Sequence, residues 1–127
     1  MHVCIVERDE QLHEMVALTA RAAGHKTASA YNSTAAIHLL GAARFDLLLI
    51  GLSSSLIGGY SGIPMIRKLY PDLAIVVMAD TSNLMQASET TSQHTTLGAD
   101  EVLAHPITPA ALLSMLERKA NGSLKAH

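Results

Sequence analysis

Apolar positions along the chain fall into two kinds of run, and their alternation predicts the architecture. His2–Val6 is a short β-branched run, FDLLLIG around residues 45–51 and LAIVVM around 73–78 are continuous apolar runs with no polar alternation, and EVLA at 101–104 is a fourth. Unbroken runs of this length suit strands of a parallel sheet covered on both faces. Between them lie segments of helical spacing. Asp9 precedes Leu12, Met15, Val16, Thr19, Ala20 and Ala23, with Gly24 as the stop. Asn32 or Ser33 caps a second helix through Ala36, Ile37 and Leu40 to Gly41. A third begins near Ile63, with Pro64 in its first turn and Met65, Ile66 and Leu69 on one face. Thr108 and Pro109 open the last, built on Leu112, Leu113 and Leu116. Side-chain oxygens at the cap and proline in the first turn satisfy or remove N–H groups that the helix cannot bond itself.

KTASA at 26–30 reads as a weak strand, and SSSLIGGYSG at 53–62 as a flexible loop. Residues 80–98 are crowded with Ser and Thr, so a helix there is thinly supported. Five strands alternating with five helices predict an α/β fold, a doubly wound parallel sheet. Ligands or reacting groups in such sheets sit beyond the carboxyl ends of the strands, at Glu7–Asp9, Gly51–Ser55, Ala79–Asp80 and His105–Pro106.

Composition narrows the function classes. The chain has 127 residues, 49 % hydrophobic and 16 % charged, which suits one domain with a substantial core. No apolar run approaches the ~20 residues needed to span a bilayer, and a cytoplasmic setting is expected. A net charge of −2 and 3 % aromatic residues argue against direct nucleic-acid binding. Cys4, the single cysteine, is expected to be a buried thiol. The seven histidines show no metal-ligand spacing and are expected at the surface, and the methionines, Met65 among them, are expected in core or helix packing. Ser53–Ser55 lack the Gly-x-Ser-x-Gly elbow of a nucleophile, and GGYSG lacks the Lys-Ser/Thr ending of a P-loop.

IVERDEQL, FDLLLIGL and LGADEVLAHPITPAALLSML, in that order, resemble the receiver domain of two-component response regulators over nearly the whole chain. The resemblance implies a flavodoxin-like sheet of order 2-1-3-4-5, a domain over residues 1–120, and a polar tail or linker start at 121–127. It also implies a cis bond before Pro106. Carried across, the family's acidic pair falls on Glu7 and Arg8, its phosphoacceptor aspartate on Gly51, its hydroxyl on Ala79, its lysine on His105 and its switch aromatic on Val102.

Only Glu7 retains the family's chemistry, so the resemblance implies a degenerate receiver. Glycine cannot form an acyl phosphate, and Mg²⁺ binding is not expected, because this hard ion requires several oxygen ligands. Arg8 is expected to fill the cation's place and pair with Glu7 or Asp9. The implied function is non-enzymatic: phosphorylation-independent binding of a signalling kinase, phosphotransferase or output protein, or self-association as a homodimer. The expected face includes Glu101, Val102, Leu112, Met115 and Lys119. The alternative is a sensor of a small anionic ligand or nucleotide using Arg8, His105 and Ser53–Ser55. An acceptor relocated to Asp9 or Asp80 ranks last.

Overall fold

The computed structural model describes residues 1–51, 56–57, 60–79, 99–104 and 106–125. In chain order these form β1 (His2–Val6), α1 (Glu10–Ala22), β2 (Lys26–Ala30), α2 (Ser33–Ala42), β3 (Leu47–Gly51), β4 (Leu56–Ile57), β5 (Tyr60–Ser61), α3 (Ile63–Leu69), β6 (Ala74–Ala79), β7 (Glu101–Ala104) and α4 (Pro109–Lys125). Five strands make one parallel sheet in the order β2-β1-β3-β6-β7, which is the doubly wound order expected from the resemblance. The helix weakly expected between 80 and 98 lies outside the described residues.

The apolar runs form the inner strands for the reason their composition predicts. Val3–Val6, Leu47–Ile50 and Ile75–Val77 are all 0 % exposed. Successive side chains point to opposite faces of a strand. Val3, Ile5, Leu47, Leu49, Val76 and Met78 therefore pack with α1 and α4, through Val16, Ala20, Leu112, Met115 and Leu116. Cys4, Val6, Leu48, Ile50, Ile75 and Val77 face the other way, toward Ala36 and Leu40 of α2 and Ile63 and Ile66 of α3. Each fully buried Val, Leu or Ile side chain contributes roughly 1.5–3 kcal/mol, so burial on both faces makes these strands the main source of stability.

The caps are as expected. Asp9 Oδ1 accepts from the Gln11 and Leu12 N–H groups, Asn32 Oδ1 from Ala35 N–H, and Thr108 Oγ1 from Ala111 N–H. Gly24, at φ 93°, takes the left-handed conformation that ends the turn after α1.

Four expectations are corrected. Part of the loop expected over 53–62 is a small antiparallel hairpin, Leu56 opposite Ser61 and Ile57 opposite Tyr60. Helix α4 runs to Lys125, so most of the expected tail continues the helix past its Asn–Gly pair. On α3 the buried residues are Ile63 and Ile66, whereas Met65 and Leu69 are 43 % and 56 % exposed, because only one side of this short helix meets the sheet. Leu112 and Met115 are 0 % exposed and belong to the core, so neither is available to a partner.

Cys4 is the buried thiol expected, and burial pushes its pKa up to about 12. The thiolate, not the thiol, reacts with disulfide reagents. Such a reagent should leave the native protein unlabelled and label it once in denaturant. Fast labelling under native conditions, measured by absorbance or mass, would contradict this burial.

Candidate functional site

The sheet reverses its order between β1 and β3, since the chain leaves β1 for β2 on one side and returns to β3 on the other. The carboxyl ends of these strands bring Glu7 and Gly51 together. Val6 is paired with Ile50, so the next residues on each strand lie side by side. Glu7 is 6 % exposed, and its carboxylate turns across the ladder toward Gly51. A Cβ placed on Gly51 would overlap Glu7 Oε1, with the carboxyl carbon 3.0 Å away and Oε2 at 3.5 Å. The Glu7 carboxylate thus occupies the space that a side chain at position 51 would need.

Three hydrogen bonds hold Glu7 there. Its N–H donates to Ala30 O at 3.1 Å, its Oε2 accepts from Asp9 N–H at 2.9 Å, and its carbonyl oxygen lies 2.9 Å from His13 Nδ1. A carbonyl can only accept, so His13 Nδ1 carries the hydrogen. His13 is 3 % exposed, stacks on Tyr31 with centroids 4.8 Å apart, and leaves Nε2 buried without a hydrogen-bond partner among the described residues. It was expected at the surface. Its place at helical spacing with Val16, Ala17 and Ala20, the buried face of α1, is the signal that marks it as interior.

Arg8 does not take the place expected of it. It is exposed and makes no ion pair with Glu7 or Asp9. Ala79 ends β6 opposite Ala104 of β7, so the backbone brings position 79 to the same end of the sheet. His105, Ser53–Ser55 and Asp80 lie outside the described residues, as does the residue that forms the bond to Pro106. Among the described residues no three His, Cys, Asp or Glu side chains come together as a metal site.

On the far side of the sheet Glu101 of β7 accepts from Arg118 through both carboxylate oxygens, at 2.9 and 3.0 Å, and lies 3.4 Å from Lys119 Nζ. Glu101 and Lys119, both half-buried, are paired to each other on the α4 side of β7, whereas Val102, also half-buried, points to the opposite face of the sheet and packs against the cluster of α2 and α3. The hydrogen bonds from Arg118 hold the Glu101 carboxyl below its usual value of 4.5, against the opposing effect of burial. A depressed carboxylate pKa gives a contribution that is complete above the unfolded value and lost as pH falls through the folded one. Acid titrations of stability should therefore lose part of their slope below about pH 4.5 in Glu101→Gln, and salt should shrink the difference. An unchanged slope would show that the pair contributes nothing.

The profile of the response regulator receiver domain matches residues 3–117, and the chain belongs to this family. Receiver domains are signalling modules of two-component systems that interact with proteins such as kinases and output domains. No curated protein matches the chain. Among solved structures, NtrX from Brucella abortus in complex with ADP superposes with a TM-score of 0.84 at 22 % identity, covering 98 % of this chain but 28 % of that one. CheY4 of Vibrio cholerae, a chemotaxis response regulator, gives 0.79 at 24 % identity over 93 % of this chain and 97 % of that one. The receiver domain of the Francisella response regulator 1452 gives 0.83 at 16 % identity over 96 % and 98 %. At such identities the likeness establishes the fold. The chain spans about 28 % of the NtrX chain, so it corresponds to one part of that larger protein. Among the described residues no helix is long and apolar enough to cross a membrane.

Proposed function

We propose that this receiver has lost the acyl-phosphate switch and acts in the cytoplasm as a non-enzymatic, phosphorylation-independent protein-binding module. One observation carries the reading: the residue at the tip of β3 is Gly51, and the space a side chain would take there holds the carboxylate of Glu7. An acyl phosphate forms by attack of a carboxylate oxygen on phosphorus, and glycine offers none. Among the described residues, the acids nearby are engaged within the fold. Glu7 is turned into the sheet, and Asp9 Oδ1 is engaged by two N–H groups of α1. Partners would be a signalling kinase, a phosphotransferase, an output protein or a second copy, meeting the face that includes Glu101 and Lys119.

Incubation with a small acyl-phosphate donor and Mg²⁺ should leave the intact mass unchanged. A gain of one phosphoryl group, on Asp9, Asp80 or any other residue, would overturn the proposal.

A second reading is favoured by Arg8, whose exposed guanidinium is unpaired with either neighbouring acid and is suited to an anion. Titration with inorganic phosphate separates the two. A saturable shift of the Arg8 amide would support the anion sensor, and a flat response would leave protein binding as the function.

A further inference from the structure

At the opposite end of the sheet from Glu7 and Gly51, a half-open cleft of about 880 Å³ separates the carboxyl ends of α2 and α3. One wall carries Leu40, Arg44 and Phe45, and the other Leu69, Tyr70 and Asp72. The chain has four aromatic residues, one Phe and three Tyr, and two of them stand here. Both walls are braced from behind. Phe45 stacks on His2 with centroids 4.0 Å apart, and His2 Nδ1 lies 2.8 Å from Arg44 O. Across the cleft, Arg67 donates to Pro71 O at 2.9 Å, to Leu73 O at 2.6 Å and to Asp100 Oδ2 at 2.7 Å, which fixes the turn between α3 and β6.

The rim has the composition of a docking surface. Leu69 at 56 % is the most exposed large apolar side chain among the described residues, and Met65, one turn earlier, is 43 % exposed. Together they form an exposed apolar strip along α3 that meets the cleft at Leu69. Arg44 and Asp72 are exposed on opposite walls and make no ion pair with any described residue, whereas the carboxylate of Asp46, on the Arg44 wall, accepts from the His2 N–H at 2.8 Å. A braced aromatic pocket with an apolar strip and two unpaired rim charges of opposite sign fits a protein segment better than a small molecule, which would need fuller enclosure.

We propose that this cleft docks a short segment of a partner protein, with a large apolar side chain between Phe45 and Tyr70, an acidic residue toward Arg44 and a basic residue toward Asp72. The assignment is independent of the crevice at Gly51 and survives whatever happens there.

Selection of a displayed peptide library against the intact domain should enrich sequences of this kind. The synthesised winner should shift the amide resonances of Phe45, Leu69 and Tyr70, and Leu69→Glu should weaken it by about tenfold or more. Leu69 is exposed, and circular dichroism checks that the variant folds. Exchanging the rim charges, Arg44→Asp with Asp72→Arg, should reselect peptides with the acidic and basic positions reversed. Failure to enrich any peptide, a winner indifferent to both variants, or shifts confined to another face would overturn the proposal. So would a Leu69 shift that depends on protein concentration without peptide, since the occupant would then be a second copy.

Discussion

Replacing Leu112 by alanine should destabilise the domain by about 3 kcal/mol, the usual cost of emptying a leucine-sized volume in a core that cannot fully collapse. Leu112 is 0 % exposed and belongs to the core cluster that includes Val16, Ala17 and Ala20 of α1 and Leu47 and Leu49 of β3. For a domain of this size the melting temperature should fall by roughly 10 °C. Met115→Ala belongs with it, whereas Leu113→Ala, at a position 37 % exposed, should change stability by less than about 1 kcal/mol. Urea unfolding of the three variants provides the measurement. Were Leu112→Ala as stable as the parent, α4 would not be seated on the sheet as described, and an interface role for that residue would return.

This contrast shows where sequence pattern stops being informative. Helical spacing on Leu112, Met115 and Leu116 marks an apolar stripe, but it cannot say whether the covering surface is the protein's own sheet or a partner. The sheet requires the stripe here, because α1 and α4 must together cover Val3, Ile5, Leu47, Leu49, Val76 and Met78. On α3 the ambiguity resolves the opposite way. Met65 and Leu69 look like the partners of Ile66, yet only Ile63 and Ile66 of this helix join the core cluster. Where one element dictates its own conformation, as in the two-sided strand Leu47–Gly51 or the caps Asp9, Asn32 and Thr108, the residues suffice to identify it. The burial of His13 was legible from its spacing with Val16 and Ala20. The turn of Glu7 toward Gly51 was not, because it depends on β1 and β3 being neighbours although α1, β2 and α2 separate them in the chain.

That neighbourhood leads to the second large effect. Restoring an acidic side chain with Gly51→Asp should not rebuild a phosphorylation site, and it should cost about 2 kcal/mol of stability at neutral pH. The new Cβ meets Glu7 Oε1, so Glu7 must rotate and give up its bond from Asp9 N–H. Gly51→Ala measures that part alone, at about 1 kcal/mol. The aspartate adds a second charge: two ionised carboxylates about 4 Å apart repel by ~4 kcal/mol at an effective dielectric of about 20, part of which relaxes as the side chains separate. Such a pair titrates with one pKa raised in the folded state. The extra destabilisation is therefore present above that raised value and fades as pH falls below the ordinary carboxylate range near 4. Removing the competitor tests the assignment directly. Glu7→Ala combined with Gly51→Asp should be more stable than the sum of the single changes by about 1–2 kcal/mol, as expected for residues in contact. Additive effects would mean that Glu7 does not hold the space at the tip of β3, and a stable phosphoryl adduct on Gly51→Asp alone would mean that the missing acceptor was the only barrier to phosphorylation in this crevice.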